Sequence, residues 1–251
     1  MPTKVTAANT WSIVNQLAHC RGQNDFVQEA PAIDLAVPQE GIALLLRHDR
    51  VVRHDHIHDH LLGIDVPADC RLGDHWTRGS DVTAIYEPKD AQRLRATAMW
   101  RLHPERRAME PHHEVVAWEV VVSAQTSALK SDSSLAVVST LAANTIFWGE
   151  LHGESFQLRG HASPTANCIL VRRDAGTSCL VAVHPTDLRR IEITHRSGRV
   201  AIGCWLFSST VEKGVLLRSR VLAAIGPATN DLAWATSVAL AFGASTPPLT
   251  S

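Results

Sequence analysis

The sequence predicts a mostly β protein: a large antiparallel β-sandwich with one short C-terminal helix. Three observations predict it. Apolar and polar residues alternate with period two through much of residues 81–222, the pattern of half-buried strands. Strand-like runs follow one another without the β-α-β alternation that a parallel sheet requires. Apolar residues at helical spacing stand out late in the chain, over residues 232–242.

Residues 1–30 read as an irregular or helical lead-in, with one or two helical turns over 11–18. Segments 33–37 and 41–47 read as strands separated by Pro38, and 51–57 as a strand or strand end. In 81–87, Val82, Ala84 and Tyr86 face one way while Asp81, Thr83 and Glu87 face the other. In 95–102, Ala96, Ala98, Trp100 and Leu102 oppose Arg95, Thr97 and Arg101. Val116, Trp118, Val120 and Val122 make a third apolar face, with Glu119 and Ser123 behind it. Further strands are predicted over 134–141, 145–151, 167–173, 179–184, 189–195, 200–208 and 214–222. Asp174-Ala175-Gly176 is a turn signal, and Arg196-Ser197-Gly198-Arg199 marks a hairpin. Residues 200–207 are apolar on both faces, which predicts a central strand covered on both sides. The helix is capped by Thr229 or Asn230 and closed by Gly243. Residues 244–251 read as a frayed tail, and 104–113 as an exposed polar loop.

About a dozen strands exceed a small seven-stranded sandwich. A closed barrel, a double-layer jelly roll and a large sandwich all accommodate them. The 251 residues are read as a single domain, 1–251.

Composition narrows the setting. Hydrophobic residues make up 45% and charged residues 20%, which suits a globular chain and not a disordered one. A net charge of −1 gives no basic excess to draw nucleic acid or an acidic membrane surface. The five cysteines are odd in number and irregularly spaced, and three lie in apolar runs, which fits a reducing compartment. With no signal peptide and no run of about 20 apolar residues, the expected location is the cytoplasm. Exposed strand edges also allow a homo-oligomer.

Three stretches carry a family resemblance: 74–87 (DHWTRGSDVTAIYE), 97–103 (TAMWRLH) and 117–129 (AWEVVVSAQTSAL). As successive long strands with interleaved aromatic and polar positions, they resemble the galactose mutarotase-like β-supersandwich class. Several polysaccharide-processing enzymes share that layout in their β domains. The resemblance covers most of residues 32–225. It implies a carbohydrate-related role, a sugar bound or acted on in a sheet-face cleft. If the protein is catalytic, it implies an epimerase- or lyase-like step using a His and a carboxylate. The candidates for those groups are His75, Glu87 and Glu119, with His56 and His58 beside them. The alternatives are a non-catalytic binding or structural module and a metal-dependent hydrolase.

Two local clusters bear on these readings. In RHDHIHDH, residues 53–60, His54, His56, His58 and His60 alternate. In an extended strand they share one face, with neighbours roughly 6.6–7 Å apart. His56 and His58, with Asp74 or His75 as a remote ligand, form the candidate site for a divalent metal such as zinc. The competing readings are a polar edge strand and a His used in acid–base chemistry. No other cofactor is implied, since nucleotide-binding glycine motifs are absent. The second cluster is 74–81, DHWTRGSD. Trp76 can stack on the apolar face of a sugar ring while Arg78 and Asp81 bind hydroxyls, or it can plug the core. Of the seven tryptophans, Trp100, Trp118 and Trp205 sit on apolar faces that fit a core.

Overall fold

A computed structural model describes residues 10–21, 30–44, 59–90, 94–102, 115–132, 134–153, 155–173, 176–196, 198–207 and 210–245. It is a sandwich of two large sheets. The eight-stranded sheet runs in spatial order β1 (Thr10–Val14), β2 (Leu17–Arg21), β3 (Ala32–Asp34), β4 (Ile42–Leu44), β5 (Asp59–Asp65), β11 (Leu135–Ala142), β17 (Arg199–Leu206) and β16 (Arg190–Arg196). The nine-stranded sheet runs β13 (Ser155–Arg159), β12 (Thr145–His152), β14 (Cys168–Arg172), β15 (Thr177–Val183), β19 (Leu217–Pro227), β9 (Val116–Thr126), β8 (Leu94–Leu102), β7 (Asp81–Pro88) and β6 (Cys70–Arg78). A short pair joins β10 (Lys130–Asp132) to β18 (Thr210–Glu212). Every pairing is antiparallel. One helix, α1 (Asp231–Ala244), follows the last strand.

Alternation places the core. Val82, Ala84 and Tyr86 of β7, Ala96, Ala98 and Trp100 of β8, and Trp118, Val120 and Val122 of β9 point inward. They meet Leu61 and Ile64 of β5, Val137 and Leu141 of β11, and Ile202 and Cys204 of β17 from the facing sheet. Removing such a side chain from water contributes about 1.5–3 kcal/mol. Three polar ties align the sheets. The indole N–H of Trp100 donates to the Leu62 carbonyl at 2.9 Å, and the Tyr86 hydroxyl donates to the Leu35 carbonyl at 3.2 Å. The third is an ion pair: Arg173 Nη2 lies 2.7 Å from Asp59 Oδ2, both side chains almost fully buried.

Several expectations change. Residues 10–21 are a β-hairpin, not helical turns. Trp11, Ala18 and Cys20 alternate into the core, and the two-residue turn is Asn15-Gln16, at φ 49° and 69°. Both left-handed residues suit the tight turns that match strand twist. The Arg196–Arg199 hairpin forms as expected, with Gly198 at φ 76°. Strand β17 is covered on one face only: Val200, Ile202, Cys204 and Leu206 are buried in the core, while the residues between them are half-buried. Trp205 accordingly sits on the outer surface. Arg190 stacks 4.5 Å over its ring, and its N–H donates to Glu192 at 2.8 Å. The segments 51–57, 104–113 and 246–251 lie outside the described residues.

The five cysteines are unpaired with one another, four of them buried. Burial pushes the thiols up, Cys20 to about 11 and Cys179 and Cys204 to about 12, so they pack as small hydrophobes. No helix among the described residues is long and apolar enough to cross a membrane.

Helix α1 buries Trp234, Ala235, Val238, Ala239 and Phe242, the spacing of one helical face. They pack on the outer face of the nine-stranded sheet, against Leu170, Leu180, Leu222 and Ala224 among others. Its N-terminus departs from the expected cap. Asn230 sits at φ 63° with no side-chain cap bond. The start is held instead by Asp231, whose carboxylate accepts from Arg172 Nε at 2.6 Å, Arg172 Nη2 at 2.8 Å and the Ser178 hydroxyl at 2.8 Å. Gly243 does not close the helix, which continues to Ala244. A Cβ on Gly243 would lie 2.9 Å from Leu151 Cδ2, so close packing explains this glycine.

Burial works to raise the Asp231 carboxyl, but the Arg172 and Ser178 bonds outweigh it and hold it below the ordinary carboxylate range. A folded pKa below the unfolded value of about 3.9 stabilises fully above that value and is lost as pH falls through the folded pKa. Asp231→Asn should therefore cost about 2–3 kcal/mol at pH 7. The gap from wild type should narrow below about pH 4. Urea unfolding at pH 7 and at pH 3.5 measures both, and a gap that does not shrink would show that charge is not what holds the helix start.

Candidate functional site

The outer face of the nine-stranded sheet has two halves. Helix α1 covers the half around β14 and β15. The other half, from β6 to β19, carries an open cleft of about 540 Å³. That volume falls within the ~300–1,000 Å³ of small-molecule sites.

Cross-strand register lays out its floor in rows. Arg78, Asp81, Arg101 and Glu119 stand opposite one another across β6, β7, β8 and β9. The next row is Trp76, Thr83, Met99, Val121 and, on β19, Arg220. The third is Asp74, Ile85, Thr97, Ser123 and Arg218. Beyond it, Arg71 opposes Glu87, and Arg95 opposes Gln125. Neighbours within a row are about 4.8 Å apart, and rows are about 7 Å apart. The face spans four inter-strand gaps, roughly 19 Å. Trp76, 42% exposed, lines one side of the cleft, and Leu216, 51% exposed, lines it beside β19.

Ion pairs hold the charged side chains in place. Arg101 Nε lies 3.4 Å from Asp81 Oδ1, and Arg95 Nη2 lies 3.6 Å from Glu87 Oε1. Arg220 Nη1 lies 3.4 Å from Glu119 Oε1 with both groups buried. Arg218 donates to the Ser123 hydroxyl at 3.3 Å.

Of the residues singled out in the sequence, Trp76, Arg78 and Asp81 line the cleft together. Trp76 is not a core plug. The three acid–base candidates are not brought together. His75 lies half-buried on β6 opposite Ala84, a core residue, so it points to the other face from Trp76. Glu87 shares the outer face, in the row that ends on Gln125, but it does not line the cleft and pairs with Arg95 instead. Glu119 is 1% exposed and engaged by Arg220. Asp81 is the single carboxylate among the lining residues, so the described residues assemble no carboxylate pair there of the kind glycoside hydrolysis uses.

His56 and His58 lie outside the described residues. Asp74, proposed with them as a metal ligand, is exposed, and its Oδ1 accepts from the His75 backbone N–H at 2.7 Å. Among the described residues no three His, Cys, Asp or Glu side chains group as metal ligands. The end of the histidine run is visible. Asp59 turns inward to Arg173, while His60 turns out to the Glu40 carbonyl at 3.2 Å.

Sequence reasoning missed Arg101, Thr83, Thr97, Ser123, Gln125 and Arg218 as cleft residues. The signal was present, since most of them stand on the polar side of alternating strands. Joining three polar sides into one face required the order β6-β7-β8-β9.

Fold and site together define a large antiparallel β-sandwich with a polar cleft on one sheet face. No family model and no curated protein matches the chain. Solved structures similar to it include a putative kojibiose phosphorylase from human microbiome, at 8% identity and a TM-score of 0.41 over 95% of this chain. Another is the heparan sulfate lyase HepC from Pedobacter heparinus, at 11% identity and a TM-score of 0.44 over 88% of this chain. The chain spans about a third of each of them, 33% and 36% of their lengths.

Proposed function

We propose that the outer-face cleft binds a carbohydrate. One observation carries the reading. Trp76 is left 42% exposed at a cleft lined by hydroxyl, amide and guanidinium groups, whereas Trp100, Trp118 and Trp234 are buried to within 1%. A pyranose presents an apolar C–H face and a rim of hydroxyls. The indole takes the first, as an amphipathic aromatic does at a half-wet interface. Thr83, Thr97, Ser123 and Gln125 offer donors and acceptors for the second. The reading is one of binding, with no catalytic step assigned, because His75, Glu87 and Glu119 stand apart.

A glycan-binding screen of the full chain, followed by calorimetry on the best ligand, tests it. Trp76→Ala should weaken binding at least about tenfold, the scale of a central aromatic anchor. Stability should stay within about 0.5 kcal/mol, as for other exposed positions. A screen with no glycan bound, or a variant that binds like wild type, would sink the proposal.

A further inference from the structure

We infer that the cleft takes a linear oligosaccharide of about four linked units, laid diagonally across the strands, and not a single sugar. This deepens the reading of the cleft as a sugar site and rests on it. Its own basis is where the lining residues fall on the sheet.

The lining is a band, not a round patch. At β6 and β7 it takes Trp76 and Thr83. At β8 and β9 it moves along the strands, through Met99 and Thr97 to Val121, Ser123 and Gln125. At β19 it ends on Leu216 and Arg218. Leu217 pairs with Ala124, which places Leu216 beside Gln125, two rows along from Trp76. The two remaining corners of this face do not line the cleft, and each is built over. At one, Arg220 and Glu119 are buried against the end of α1, where the Ser245 carbonyl accepts from Arg220 Nη2 at 2.8 Å. At the other, Glu87 pairs with Arg95 at 3.6 Å and its side chain lies over Gly73, where an added Cβ would stand 2.8 Å from Glu87 Cδ. With both corners taken, the open path runs from Trp76 to Leu216.

Four strand spacings of about 4.8 Å and two rows of about 7 Å make that path roughly 24 Å between the two Cα positions. A pyranose unit, built of bonds of about 1.5 Å, advances a linear chain by roughly 5 Å, so about four units cover the path. The chemistry along it repeats as such a chain repeats. Apolar surface opens the path at Trp76, 42% exposed, and closes it at Leu216, 51% exposed. Met99 and Val121 form an apolar floor midway. Thr83 stands between Trp76 and Met99, and Ser123 and Gln125 stand between Val121 and Leu216. Each sugar ring brings an apolar C–H face and a rim of hydroxyls, so a run of linked rings meets this alternation. A single ring reaches one apolar surface and leaves the others bare.

Calorimetry on the full chain tests this with cello-, malto-, xylo- and galacturono-oligosaccharides, each as a length series from monosaccharide to hexamer. In a series that binds, affinity should rise at least about tenfold from the disaccharide to the tetramer, then change less than about twofold from pentamer to hexamer. Trp76→Ala and Leu216→Ala remove the apolar surface at opposite ends of the path. Each should weaken the hexamer about threefold or more, whereas a disaccharide, too short for both ends, should respond to at most one of them. Both side chains are exposed, so both variants should fold. The length series needs no variant and decides the matter if either does not. A monosaccharide or disaccharide that binds as tightly as the tetramer overturns the inference and leaves the sugar site standing. So does a severalfold rise from pentamer to hexamer, or a Leu216→Ala variant that binds the hexamer like wild type. Failure of every series overturns the inference, and an empty glycan screen overturns the sugar reading with it.

Discussion

Replacing Asp59 by alanine should cost about 3–5 kcal/mol of folding stability, the range for removing one partner of a buried ion pair. At ~2–4 °C per kcal/mol for a chain of this size, the loss in Tm is on the order of 10 °C. Asp59 is 2% exposed at the start of β5. Its Oδ2 meets Arg173 Nη2 at 2.7 Å, its Oδ1 meets Arg199 Nη2 at 3.2 Å, and Oδ1 also accepts from the Ala142 N–H at 3.0 Å. The residue thus ties β5, β11 and β17 of one sheet to the end of β14 in the other. Arg173 is 7% exposed, so without the carboxylate its charge stays in a dry setting. Desolvation, more than lost attraction, makes the truncation costly. A second variant separates the two. Asp59→Leu with Arg173→Met removes both charges and should recover much of the loss, since an apolar pair of similar volume avoids the desolvation. Urea unfolding of the single and double variants measures both effects. A single-variant loss under about 1 kcal/mol would mean that the bridge is solvated.

The same residue shows where the sequence is legible and where it is not. The strands of the nine-stranded sheet were readable because each buries one face, and period two marks such a strand without reference to its neighbours. The inward sets of β7, β8 and β9 follow directly from that rule. Residues 11–18 misled because Trp11, Ile13, Val14 and Leu17 also fit helical spacing. Only the left-handed pair Asn15-Gln16 turns the segment into a hairpin. Asp59 was hidden inside a histidine run whose apparent message was metal binding. Its partner Arg173 lies more than a hundred positions away, and no local pattern joins them. The cleft was half legible. Trp76, Arg78 and Asp81 are close in sequence, so one glance assembles them. Arg101 and Arg218 join them only through strand order, which in β19-β9-β8-β7-β6 brings the end of the chain beside the middle.

Glu119→Ala should likewise cost about 3–5 kcal/mol, and Glu119→Gln somewhat less because the amide oxygen still accepts a hydrogen bond. Glu119 and Arg220 oppose no pattern rule: a polar position on the outer side of β9 is ordinary, and a carboxylate there invites a catalytic reading. Geometry favours another role. Arg220, 2% exposed, reaches Glu119 at 3.4 Å, the Ser245 carbonyl at 2.8 Å and the Ser245 hydroxyl at 3.2 Å. Its guanidinium also lies 5.0 Å from the centroid of the Phe242 ring. The pair therefore pins the end of α1 to the sheet beside the cleft, and Glu119 acts by holding Arg220 in place. Hydrogen exchange separates this from a catalytic role. In Glu119→Gln the amides of α1 should exchange faster while saccharide affinity of the folded fraction stays within about twofold. That combination is expected of a group outside the binding surface. If Glu119→Gln instead left α1 protection and stability intact and abolished turnover of a bound saccharide, Glu119 would be an acid–base group and the cleft a catalytic one.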